Sequence, residues 1–126
     1  MSAIKEQLIE LMHSGKIELI STHEHLSLPV IERIHKKMTL KLLFRSIQVA
    51  ENVIIDGHHR YLASMLANYK LEQTPCIKPQ AKTNFDWKSV KLVDEDWDTD
   101  AKIKNLNYQD AKYNDMTLEE LLEKIK

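Results

Sequence analysis

A chain of 126 residues can bury one modest hydrophobic core, so these residues make one domain and a multidomain arrangement is excluded. With 43% hydrophobic and 29% charged residues, it has the composition of a globular protein rather than a disordered tail or a membrane protein. Eighteen Lys and Arg against nineteen Asp and Glu leave a formal charge of −1, so nucleic acid or an anionic membrane would have to be met by a local basic patch.

In residues 2–14, Ile4, Leu8, Leu11 and Met12 recur at helical spacing, with Ser2 placed to cap the start and Gly15 just past the end. The run KIELIST (16–22) is expected to be a strand leading into His23-Glu24-His25. A second helix opens at Ser27, with Pro29 in its first turn and Val30, Ile31, Ile34 and Met38 on its apolar side. Residues 39–49 alternate in a way that predicts a strand, and Ala50-Glu51-Asn52 joins it to Val53-Ile54-Ile55 as a hairpin. Asp56-Gly57 then turns the chain into a third helix, His59 to Tyr69, carrying Leu62, Met65, Leu66 and Tyr69 on one face. TPCIK (74–78) reads as a short strand in which Cys76 is a small buried residue. Between 79 and 116 only SVKLV reads as a strand and the rest as loop. Thr117 and Glu120 form a capping box opening a terminal helix striped with Leu118, Leu121, Leu122 and Ile125, which packs within the chain or on a partner.

Two residue counts narrow the chemistry. The only glycines, Gly15 and Gly57, exclude both a Walker A loop and a GxGxxG fingerprint. Cys76 is the only cysteine, which excludes an internal disulfide and dithiol chemistry and suits a reducing, cytoplasmic setting. The N-terminal stretch, interrupted by Lys5, Glu6 and Glu10, is expected to be neither a signal peptide nor a membrane span.

The strand-turn-helix at 53–69 has the makings of an anion site. A helix N-terminus carries partial positive charge, Gly57 allows close backbone approach, and His58, His59 and Arg60 add donors. Asp56 beside a phosphate would need Mg²⁺ or a substrate hydroxyl between them. The plainer alternative is a simple turn followed by exposed first-turn histidines.

The run IIDGHHRYLASMLANYKLEQTPCI resembles the nucleotide-binding segment of the ParB/sulfiredoxin superfamily, and Asp-Gly-His-His-Arg resembles its ADP- or ATP-dependent free serine kinase branch. The resemblance covers residues 16–78, leaving 79–126 as a C-terminal extension. It implies a compact α+β domain with a small mixed sheet flanked by helices, plus a C-terminal helix. In that branch an acidic catalytic residue follows the first strand, and Thr22-His23-Glu24 stands at the corresponding place. By resemblance, Glu24 is then the general base for an acceptor hydroxyl and Asp56 assists at the substrate or at Mg²⁺. Gly57, His58, His59 and Arg60 bind the phosphates of ATP or ADP, and the acceptor is a small hydroxyl compound such as serine. Sulfiredoxins carry their catalytic cysteine where His58 stands, so their chemistry is excluded here. ParB partition proteins carry two arginines where this chain has His59-Arg60, and no helix-turn-helix is visible after residue 78. The alternatives to a kinase are a nucleotide-sensing or partner-binding module without catalysis, and a ParB-like DNA-associated protein.

Other clusters have plainer readings. His23 and His25 alternate as metal ligands can, but phosphate contact or exposure is the expected role. Arg33, Lys36, Lys37, Lys41 and Arg45 form the best basic cluster and are expected to be a solvated face rather than a nucleic-acid patch. Trp87 and Trp97, in an acidic stretch, are expected to cover the core or a second copy in a homodimer.

Overall fold

The fold is known from a computed structural model, which describes residues 3–77 and 83–126. The proposed cap Ser2 and Lys78, the last residue of the expected TPCIK strand, lie outside the described residues. The fold is mixed α+β: among the described residues, helices α1 (Ala3–His13), α2 (Leu28–Thr39), α3 (His58–Ala67), α4 (Asp100–Tyr113) and α5 (Leu118–Lys124) accompany five short strands and one 3₁₀ turn, Trp87–Ser89. The strands are β1 (His25–Ser27), β2 (Ile47–Ala50), β3 (Val53–Asp56), β4 (Gln73–Pro75) and β5 (Lys91–Val93). They form a mixed three-stranded sheet, β3-β2-β4, and a separate parallel pair, β1-β5.

The hairpin of β2 and β3 turns through Glu51 and Asn52, both at positive φ (50° and 68°), the backbone demanded by a two-residue turn that follows the twist of the strands. Its first strand is much shorter than the alternation of 39–49 predicts. Lys41 takes φ 69° and closes the end of α2, so the chain leaves in a turn rather than a strand. Backbone groups beyond it then find side chains: Leu43 N–H donates to Asn114 Oδ1 at 2.6 Å and Phe44 N–H donates to the Tyr69 hydroxyl at 3.1 Å. The expected strand at 16–22 is likewise reduced to single bridges, Ile20 with Val53 and Ser21 with Phe85. Here Ser21 Oγ binds the backbone of His23 and Thr22 N–H turns to the ring of His58, which ends any ladder. Cys76 is also displaced from its expected place, lying one residue past β4 and only partly buried.

One main core gathers Leu8 and Met12 of α1, Ile31 and Met38 of α2, Ile47 and Ile54 of the sheet, Leu62 of α3, and Trp87 and Val90. Trp87 thus covers the core from within the chain, its indole N–H donating to Leu19 C=O at 2.6 Å. Residues 83–93 therefore belong to the body of the fold, since β5 also pairs with β1. The largest correction to the sequence reading is α4, a 14-residue helix in a stretch expected to be loop. It starts at Thr99, whose side chain accepts from Lys102 N–H, and is followed by α5 with the predicted capping box between Thr117 and Glu120. This pair is anchored on a second small cluster, Leu42, Ala111 and Leu121. Among the described residues no helix is long and apolar enough to cross a membrane.

Candidate functional site

Strand β3 delivers Asp56 and Gly57 to the start of α3, and Gly57 is required there on two counts. Its φ is 105°, and a Cβ at this position would lie 2.3 Å from Ile47 Cγ2. The first turn of α3 thereby sits tight against β2. Its first intrahelical bond is Tyr61 N–H to Gly57 C=O, so the amides of His59 and Arg60 precede the helix's own ladder.

This helix start forms part of a cleft of about 430 Å³ between α2, α3 and α4. Val30, Arg33, Ile34 and Lys37 of α2 make one wall, and Ile103, Leu106, Asn107 and Asp110 of α4 make the opposite one. Asp56, Gly57, His58, His59, Arg60 and His23 line it too, together with Phe44, Arg45 and Trp97. The cleft is of the size ordinary small-molecule sites have, and both cationic and apolar side chains line it.

Five of the six residues singled out from the sequence come together there. Arg60 is held at the rim, donating to Asp56 Oδ2 at 3.2 Å and to Arg45 C=O at 3.3 Å. The two histidines are turned to structural work. His58 is only 2% exposed, and its Nε2 accepts Thr22 N–H at 3.0 Å while its ring lies 4.1 Å from that of His23. His59 Nε2 accepts Ser27 N–H at 3.0 Å, and its ring meets Trp97 edge-on at 5.3 Å. The paired histidines therefore clamp the segment 22–27 at both ends. Glu24, inside that segment, is the sixth residue; it is exposed, 3.8 Å from His25 Nδ1, and is not among the residues lining the cleft.

No protein-family model, curated protein or solved structure matches this chain.

The cleft also recruits Arg33, Lys37 and Arg45 of the basic cluster that was expected to be a solvated face. Arg33 and Lys37 are not a solvated basic face. Arg33 binds Asp96 in a two-pronged pair at 2.6 and 2.8 Å and reaches Asp98 at 2.9 Å. Lys37 is 7% exposed and pairs with Asp110 at 2.7 Å. The Arg33 hydrogen bonds hold the Asp96 carboxyl down at about 2. For Lys37 a signal existed: it lies three residues after Ile34 and beside Met38, on the flank of the apolar stripe. Among the described residues no group of three or more His, Cys, Asp or Glu is placed to hold a metal ion.

Burial lowers His59 from 6.5 to about 4, with the neighbouring charge of His23 adding to the effect. The unfolded chain then binds more protons than the folded one between these values, so stability falls as pH drops from about 6.5 toward 4. Partial solvent access reduces the full linkage value, and a loss of about 2 kcal/mol is expected across that window. Urea unfolding at pH 7 and pH 4.5 checks this: His59→Gln should flatten the pH dependence, and an unchanged slope would remove His59 as its source.

Proposed function

We propose that this is a nucleotide-binding protein of the ParB/sulfiredoxin type, with the phosphates of ATP or ADP at the start of α3. The observation that carries the reading is the coincidence of that helix start, with Gly57 and Arg60, and a cleft whose apolar lining outside α4 includes Val30, Ile34 and Phe44. Helix N-terminal amides and an arginine suit phosphate oxygens, while apolar side chains suit a base. Further support is the succession of strand, αL glycine and helix through Asp56-Gly57-His58.

Mg²⁺ accompanying the nucleotide fits the donors present, because Mg²⁺ is commonly held by one or two carboxylates plus substrate phosphates, and Asp56 supplies a carboxylate. Bound there, it would neutralise phosphate charge. Arg60 would leave Asp56 for the phosphates, Gly57 would admit them close to the backbone, and His58 and His59 would hold the 22–27 segment in place. Glu24 lies outside the lining, which favours a binding or sensing module over transfer to a hydroxyl compound such as serine.

Calorimetric titration with ATP, ADP and CTP, with and without Mg²⁺, tests the reading. Adenine-nucleotide binding should weaken roughly tenfold or more in Arg60→Ala and be unchanged in Glu24→Gln. Absence of binding by all three nucleotides would overturn it, and selectivity for CTP would move the assignment to a ParB-like CTP-responsive protein.

A further inference from the structure

Helices α4 and α5 are held differently from the rest of the fold. Among the described residues, the main core reaches no further along the chain than Val90 and the half-buried Leu92. The apolar anchorage of α4 and α5 is confined to Leu42, Ala111 and Leu121, with Phe44, Met116 and Ile125 around them. Of the secondary-structure elements, α5 is the one α4 packs against closely. Elements with so little buried apolar area open at lower free energy than the core.

The polar attachments sort into two ends. At the N-terminal end the lead-in to α4 is pinned to the body. Ser27 Oγ donates to Glu95 C=O at 2.8 Å, and Arg33 grips both Asp96 and Asp98. At the other end Lys37 pairs with Asp110, and the Asn114 amide exchanges two hydrogen bonds with the backbone of Leu43, at 2.6 and 3.1 Å. Arg45 lies over the ring of Tyr113, 5.5 Å from its centroid. Between these ends α4 borders the cleft of about 430 Å³ rather than packing against α2. Arg33 and Asp98 line the cleft as well, but the N-terminal end also holds the Ser27–Glu95 bond and the edge contact of Trp97 with His59, so it is the more heavily tied end and serves as the pivot, while the other end is the one whose contacts exchange. Lys37 and Arg45 of that second set also line the cleft, so Asp110 and the Tyr113 ring occupy cations that a phosphate would compete for.

We propose that α4 and α5 form a hinged cover over the cleft, pivoting just beyond Asp98 and released when a di- or triphosphate takes Lys37 and Arg45 from Asp110 and Tyr113. The proposal rests on the phosphate-binding reading only for what opens the cover; the cover itself is read without ligand.

Hydrogen exchange followed by mass spectrometry on the full chain makes the test, with wild type compared with Asp110→Asn and, separately, Asn114→Ala. Both substitutions should speed exchange in peptides from 100–124 by roughly tenfold while leaving those of α2 and α3 unchanged. Inorganic pyrophosphate, at ionic strength matched with sodium chloride, should speed the same peptides in wild type. Exchange of 100–124 at the rate of α3, with both variants accelerating every peptide alike, would overturn the cover by showing one cooperative unit. Selective opening in the variants without a response to pyrophosphate would overturn the phosphate trigger. The Arg60→Ala titration reports separately on whether the cleft binds nucleotide at all.

Discussion

Gly57→Ala is expected to destabilise the protein by about 3–5 kcal/mol, combining left-handed backbone strain with overpacking against the sheet. The φ of 105° is one a side chain rarely adopts, and the new methyl would meet Ile47 Cγ2 at 2.3 Å and Ile47 Cβ at 2.9 Å. Ile47 is fully buried and cannot withdraw without disturbing its neighbours in the main core. The comparison is Gly15→Ala, where φ is 76° but nothing lies within 4 Å of the added carbon. That change should cost only about 1 kcal/mol, the conformational part alone. Thermal unfolding of the two variants separates them by roughly 10 °C or more, and equal midpoints would show that β2 does not press on the start of α3.

His58→Leu should cost about 2–4 kcal/mol, although leucine is apolar and suits a buried position. The loss comes from Thr22 N–H, which would be left in the interior without the Nε2 acceptor it now has at 3.0 Å. A buried donor stranded in this way forfeits its desolvation cost with no return. His58→Gln, whose side-chain oxygen can accept in place of Nε2, should recover part of the stability. Equilibrium urea denaturation of the three proteins checks the order, wild type above Gln above Leu. A leucine variant as stable as wild type would mean the Thr22 bond is not structural.

Much of the fold was legible because its residues obey local rules. Gly15 follows α1 at φ 76°, Pro29 sits in the first turn of α2 and Asp56-Gly57 turns β3 into α3, while Ser27 stands at the N-cap of α2 without a capping bond, its Oγ donating to Glu95 C=O instead. The capping box at Thr117 is a local signal that the structure reproduces atom for atom. The cleft-lining segment 56–60 was also legible, since a strand, a glycine and a helix in succession leave few arrangements.

Helix α4 was not legible, and the reason is its inward face. Ile103, Leu106, Asn107, Asp110 and Ala111 form the less exposed stripe, and only part of it is apolar because it borders a cleft and meets Lys37. Hydrophobic periodicity reports packing against a core, so a helix that faces a cleft scarcely registers. The alternation at 40–45 failed in the opposite way. Leu42 is buried against Ala111 and Leu121, and Phe44 touches both clusters, so the pattern that resembled a strand records contact with helices distant in sequence.

Local signals in the sequence were enough for the existence of α1, α2, α3 and α5, the β2–β3 hairpin and the strand-to-helix turn through Asp56-Gly57. These are properties of a few adjacent residues and their backbone preferences. Which side chains face the cleft depended on how the elements pack in three dimensions. That packing buried His58, turned both histidine Nε2 atoms onto the 22–27 backbone, left Glu24 outside, and paired Lys37 with Asp110 across 73 positions. Such pairings follow from the competition of donors and acceptors brought together by the core, and that competition has no signature in the spacing of neighbouring residues.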